Sequence, residues 1–225
     1  MNQDELAQTA YNYIEKDRHD NAIPYIAEIV TRFPDNTDIA KYKMLLAELQ
    51  FKEKNFEEAQ QVFENFSQFY PSDQRAEYAK YKTVQSAFRQ VLPADCDQSN
   101  TEETLRLAQD YLANANFKEY RSDIEAIVKS CNEHLIEKEI YVFDFYLSKK
   151  EFDAARNRLK HLRQKFVALE KSIEPRILYL EYKLATKEKK VAEAEEHVKK
   201  LITQYPESQF AVLAQTQNNK QPFVF

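Results

Sequence analysis

A chain of 225 residues, 43% hydrophobic and 31% charged, can bury a core beneath a well-solvated surface, and its formal charge of −5 gives no net attraction to a phosphate backbone. It contains no Gly and 7 Pro, so the residue that tight hairpins and phosphate-cradling loops depend on is missing, which argues against strand-rich and nucleotide-binding folds. No run approaches the roughly 18 apolar residues of a spanning helix.

The N-terminal segment Met1 to Tyr11 is polar and acidic, without the basic and apolar regions of a signal peptide. It opens a helix predicted over 3–18, with Leu6, Ala10 and Tyr13 on its apolar stripe, followed by a second over 21–33. In that second helix Ala22 stands twelve residues before Pro34, and the same offset separates Ala59 from Pro71 and Ala194 from Pro206. Between each Ala and its Pro, apolar residues recur four and seven positions on, as Ile26 and Ile29, Phe63 and Phe66, Val198 and Leu201, which is one face of a helix. A small residue suits a close helix crossing, and Pro after an aromatic stops the helix by fixing φ and removing an amide donor.

The pattern continues with helices over 37–53, 56–70, 73–92, 101–115, 118–150, 152–166, 173–188, 191–204 and 208–216. Ala40-Lys41-Tyr42-Lys43 recurs as Ala79-Lys80-Tyr81-Lys82, and Phe152-Asp153-Ala154-Ala155 matches Phe56-Glu57-Glu58-Ala59. Corresponding positions Ala22, Ala59, Thr104, Ala155 and Ala194 are spaced by about 37, 45, 51 and 39 residues, longer than the tetratricopeptide repeat. The fold class that follows is all-α, a tetratricopeptide-like superhelical solenoid of about five helix-turn-helix repeats, forming one domain over 1–216. Its repeats cover about 3–34, 36–71, 73–117, 118–168 and 172–206, with a capping helix over 208–216 begun by Ser208 and a flexible tail over 217–225. Ser99-x-x-Glu102 reads as a capping box, and Asn55 and Asn116 are the expected left-handed helix-terminating residues in a chain without Gly.

Residues for catalysis are not gathered. His19, His134, His161 and His197 lie in separate repeats, and Glu133, His134 and Glu137 read as a solvated helix face rather than a metal site. We therefore expect no enzyme and no cofactor. Cys96 and Cys131 are too far apart for a zinc or redox motif; helix lengths bring them to similar heights, so they either pair as a disulfide in an oxidising compartment or remain two thiols, one exposed and one packed. The first helix of each repeat lines the concave face of such a solenoid. Superposing the repeats places Tyr11, Ile14, Lys41, Met44, Glu48, Phe51, Lys80 and Thr83 there, a mixture of apolar groups and ammonium groups suited to an extended peptide.

The helix Glu133 to Leu147, with Glu139, Tyr141, Val142 and Tyr146, and the following Ala154, Ala155 and Arg158 resemble the motif of the BamD (YfiO, ComL) family of outer-membrane-assembly lipoproteins. The aromatic-Pro stops also fall where that family has them. The resemblance implies a periplasmic scaffold without a cofactor, held at the inner leaflet of the outer membrane by a lipid anchor that is not among these residues. It implies that later repeats dock a BamA-like channel and other lipoproteins of the assembly machine, with Glu139, Tyr141, Arg156 and Arg158 as docking residues. Earlier repeats would bind unfolded outer-membrane proteins. The alternative is a tetratricopeptide adaptor or co-chaperone unrelated to barrel assembly.

Overall fold

The computed structural model describes residues 1–167 and 173–220, and every element among them is helical: α1 (Gln3–Glu15), α2 (His19–Arg32), α3 (Ile39–Lys52), α4 (Phe56–Phe69), α5 (Ala76–Phe88), α6 (Ser99–Ala113), α7 (Arg121–Lys149), α8 (Phe152–Phe166), α9 (Glu174–Lys187), α10 (Val191–Gln204) and α11 (Gln209–Lys220). They form the antiparallel helix pairs of tetratricopeptide-like repeats. The chain divides into two compact units, the first Met1–Cys131 and the second beginning at Asn132, so the boundary falls within α7.

The phased alanines do what their spacing requires. Ala22, Ala59, Ala155 and Ala194 are all fully buried, and the stripes that follow them, Ile26 and Ile29, Phe63 and Phe66, Leu159 and Leu162, Val198 and Leu201, are buried with them. Thr104 occupies the same register in α6, also fully buried, with its hydroxyl satisfied by the Asn100 carbonyl at 2.7 Å. The aromatic residues before Pro34, Pro71 and Pro206 each leave the helical conformation: Phe33, Tyr70 and Tyr205 have φ −126°, −125° and −137°. In the first unit three successive clusters make the core, one across α1 to α3, one across α3 to α5, and one centred on Val84, Leu107, Tyr111 and Ile124. In the second unit α9, α10 and α11 close around Tyr182, Val198, Leu201 and Ala214.

The absence of Gly has a local solution that differs from the expected one. Asp17, Lys54, Lys150 and Lys189 take positive φ of 54°, 64°, 63° and 62°, each just after the first helix of a pair; Asn55 and Asn116 do not. At each site the next amide reaches back five residues, as Asn55 N–H to Gln50 O at 2.9 Å, while the left-handed residue donates three back, as Lys54 N–H to Phe51 O at 3.1 Å. This is the Schellman ending, and its left-handed position falls one residue before Asn55. A side chain with a Cβ costs about 1 kcal/mol there relative to Gly, a cost repeated at all four hairpins.

Two smaller corrections concern helix ends. Ser99 is the first residue of α6 rather than its cap, because the N-cap is Gln98 and Ser99 N–H is held by Asp97 at 2.9 Å. The capping box belongs instead to Asn2 and Glu5 at the start of α1. Ser208 does precede α11, with Oγ accepting from Phe210 N–H at 3.2 Å. That helix continues to Lys220, so 217–220 are helical where a tail was expected. Residues 221–225 lie outside the described residues.

Cys96 and Cys131 are not bridged. Cys131 is fully buried in the third core cluster of the first unit and Cys96 is exposed in the loop before α6, which is the two-thiol arrangement. Equal height along a helix pair is not proximity, since Cys131 is turned into the packing between helices. Burial pushes the Cys131 thiol up to about 12, so it stays protonated and unreactive at neutral pH. Iodoacetamide should therefore modify Cys96 alone in the folded chain and both cysteines after unfolding in urea; rapid labelling of Cys131 in the folded protein, read by peptide mass spectrometry, would contradict this packing.

Candidate peptide-binding recess and docking face

In the first unit the end of α3, the start of α4 and the end of α5 enclose a recess of about 510 Å³. Leu49, Phe51 and Phe56 form its apolar wall, and Lys52, Lys54, Arg89 and Glu48 complete the lining, with Lys52 Nζ paired to Asp17 Oδ1 at 3.1 Å. Phe51 and Phe56 meet edge to face with centroids 5.4 Å apart. Lys54 is there because the Schellman ending of α3 turns the chain at that residue, so the backbone feature that replaces glycine also delivers a cation to the recess.

Lys82 lies against this wall. It is only 7% exposed, its Nζ sits 3.2 Å from the Phe51 centroid and 5.9 Å from that of Phe63, and it donates to Gln85 Oε1 at 3.2 Å. Burial pushes its ammonium below the ordinary lysine value, with the Glu48 charge working against that shift. An ammonium over the faces of two rings is a cation–π arrangement that survives desolvation. Glu48 also takes a hydrogen bond from Tyr78, whose phenol is pushed up first by burial and then by that carboxylate. Tyr78 continues into a ring cluster in which Tyr81 and Tyr120 stack at 4.3 Å.

Of the eight residues expected to line a groove, Glu48 and Phe51 line this recess. Tyr11 and Ile14 are half-buried against the first core cluster, Lys41 is exposed and Lys80 is half-buried. Met44 and Thr83 do not belong to any surface: Met44 is 8% exposed within the core of α3 to α5, and Thr83 is fully buried with its hydroxyl bonded to the Ala79 carbonyl at 2.9 Å. Both lie on a buried side of their helix, which superposition of repeats does not separate from the open side. Lys82 was missed although its signal was present. In the repeated Ala-Lys-Tyr-Lys segments the second lysine meets rings in both copies, with Lys43 5.4 Å from the Phe69 centroid and 5.2 Å from that of Tyr70.

In the second unit the residues expected to dock a partner separate into two kinds. Glu139, Arg156 and Arg158 spend their charges inside the unit: Glu139 pairs with Arg158 at 3.5 Å and His161 at 3.2 Å, and Arg156 binds Glu188 at 2.6 Å. Tyr141 is 55% exposed, and one turn on, Phe145 is 52% exposed. Lys138 and Lys149 lie 5.8 Å from the centroids of these two rings. Beside them, Glu137 and Asp144 are engaged by Arg176 at 2.6 Å and Lys183 at 2.7 Å, two pairs spaced seven residues apart on both helices, which fixes the register of α9 on α7.

No group of three or more metal-ligating side chains occurs among the described residues, and none of the helices described is long and apolar enough to cross a membrane. A chain of paired helices with a cationic aromatic recess on one unit and exposed rings on another is a tetratricopeptide-like protein. It belongs to the YfiO family of outer membrane lipoproteins, whose model matches residues 1–184. Two relatives are both described as outer membrane protein assembly factor BamD. The protein of Caulobacter vibrioides is 23% identical over 155 residues, 69% of this chain, and that of Rickettsia prowazekii 25% identical over 170 residues, 74% of this chain. The matched stretch spans 51% of the Caulobacter protein and 68% of the Rickettsia one. A solved protein from Bacteroides ovatus aligns over 98% of this chain and 97% of its own at 15% identity, with a TM-score of 0.31, too low to inform the fold.

Proposed function

We propose that this chain is a non-catalytic scaffold of outer-membrane β-barrel assembly. In this reading the recess of α3 to α5 receives unfolded outer-membrane protein segments, and the second unit docks the periplasmic domains of a BamA-like channel and, with them, other lipoproteins of the machine. Its place is the periplasmic face of the outer membrane. Membership of the YfiO family and the assembly-factor relatives support this role. The observation that carries the peptide-binding part is the recess itself: Lys52, Lys54 and Arg89 rim the ring pair Phe51 and Phe56, a chemistry that accepts an aromatic or aliphatic side chain next to a carboxylate. Docking through the second unit is supported by Tyr141 and Phe145, exposed aromatics of the type that anchors protein interfaces.

Fluorescence anisotropy with a labelled C-terminal segment of a barrel protein tests the first part, and pull-down with BamA periplasmic domains tests the second. Phe51→Ala and Arg89→Glu should each weaken the peptide about tenfold, roughly 1.4 kcal/mol, and leave the channel domains bound, whereas Tyr141→Ala with Phe145→Ala should do the reverse. Binding to neither ligand would leave the protein a peptide-gripping adaptor outside barrel assembly.

A further inference from the structure

The α3–α5 recess carries a charge that its lining does not show. Lys82 does not line it, yet its Nζ lies 3.2 Å from the centroid of Phe51, which does. The lysine is buried, and among the described residues it makes one hydrogen bond, to Gln85 Oε1 at 3.2 Å, and no ion pair. The charged groups that face it are Glu48 from α3 and Arg89 from its own helix, while α4 offers the ring of Phe63. Glu48 is itself engaged by the Tyr78 hydroxyl. A buried ammonium ordinarily has a carboxylate against it, because an ion taken out of water loses its hydration.

The repeat does not require this lysine to be buried. Lys43 holds the same place in the preceding Ala-Lys-Tyr-Lys segment, where it is half-buried, lies over the exposed ring of Phe69 and donates to Tyr70 Oη at 3.4 Å. Methionine would fill the Lys82 position at similar length with no charge to desolvate. What lysine adds there is the charge.

That charge is placed where a segment in the recess would feel it. Lys54 and Arg89 also make no ion pair among the described residues, but both are exposed, so water and salt screen their attraction for a ligand. Lys52 is exposed too, and is paired with Asp17. A charge held away from water acts with greater effective strength over the same distance. With an ammonium already over one face, the Phe51 ring also has less π density to offer a second cation.

We propose that Lys82 sets the charge selectivity of the recess: the site prefers a segment whose aromatic side chain is accompanied by an aspartate or glutamate over the same segment with a neutral or basic residue there. Lys82 acts through Phe51 and through the field it places in the recess, and is a specificity-determining residue that touches no ligand itself. The inference rests on the recess being the peptide site and names the class of segment that this site selects. Burial pushes the ammonium below the ordinary lysine value, with Glu48 opposing and Arg89 adding to the shift. A depressed lysine loses its charge early as pH rises, so the preference for an acidic segment falls with it.

The test uses the full chain and the labelled barrel-protein segment in three forms, with glutamate, glutamine or lysine beside its aromatic side chain. By anisotropy the native chain should bind the glutamate form at least about fivefold more tightly than the glutamine form, and the lysine form most weakly. Lys82→Met, checked for folding by its urea midpoint, should reduce the glutamate preference to under about twofold. Raising the pH from about 7 to about 9.5 should lower the preference of the native chain and leave that of Lys82→Met flat, because Arg89 stays charged and exposed lysines titrate only near 10.4. Equal binding of the glutamate and glutamine forms by the native chain, or an undiminished preference in Lys82→Met, overturns the role of Lys82 and leaves the recess as the peptide site. Should the variant lose its fold, a preference in the native chain that does not fall with pH overturns it instead. Failure of all three forms to bind overturns the recess reading and this inference with it.

Discussion

Phe63→Ala is expected to lower the unfolding free energy of the first unit by about 3–5 kcal/mol, the range for removing a buried aromatic ring. Phe63 is fully buried, packs with Ala59, Phe66 and Ala79, and meets the edge of Tyr78 at 6.4 Å. Alanine would leave a cavity that the small neighbours Ala59 and Ala79 cannot fill, and it would remove one of the two rings beside the buried Lys82 ammonium. Phe69, 69% exposed at the end of the same helix, is the internal control: Phe69→Ala should change stability by no more than about 0.5 kcal/mol. Urea titrations followed by circular dichroism compare the two. A Phe63→Ala loss no larger than that of Phe69→Ala would mean that the α3 to α5 core is not packed as described.

That contrast also shows what the sequence makes legible. Phe63 and Phe66 could be placed in the core because their distance from Ala59 and from Pro71 repeats in three hairpins, and the geometry of a close crossing demands a small residue at one fixed point. Helix boundaries followed from the same phase, since Tyr70-Pro71 can end a helix in few ways. The left-handed position was less legible. Asn is the usual substitute for Gly, yet the residue that adopts positive φ is set by where the Schellman hydrogen bonds close, and that count selects Lys54 and Lys189 whatever their side chains prefer. Met44 and Thr83 show the second limit. A helix in the middle of a stack has two buried sides and one open side, and a one-dimensional stripe does not say which of two apolar lines faces the next hairpin. Glu139, Arg156 and Arg158 show a third: a family motif carries residue identity, while the structure commits their charges to Glu188, His161 and each other.

Glu77 supplies the second large effect, and its sign with pH can be worked out. Its Oε1 accepts from the Tyr111 phenol at 2.6 Å and from Glu119 N–H at 2.7 Å, while Tyr111 Oη accepts from Tyr120 N–H at 3.2 Å. One carboxylate thus ties α5 to α6 and to the turn before α7. Tyr111 is fully buried, so Glu77→Ala leaves its phenol proton without a partner, and the expected loss is about 2–4 kcal/mol from a charged hydrogen bond and an unsatisfied buried donor together. Burial pushes the Glu77 carboxyl up, but the bonds from Tyr111 and from the backbone around Glu119 outweigh it and hold the group below its ordinary value. A folded-state pKa below the unfolded one contributes stability that is present above about 4.3, the unfolded value, and is lost as pH falls through the folded pKa. Glu77→Gln keeps an acceptor oxygen but not the charge. It should therefore cost about 1–2 kcal/mol near neutral pH, and the gap to the native chain should close as the pH drops below about 4. Urea midpoints measured at neutral and acid pH decide it: a gap that stays constant between the two would show that Glu77 stabilises the fold by shape and not by its charge.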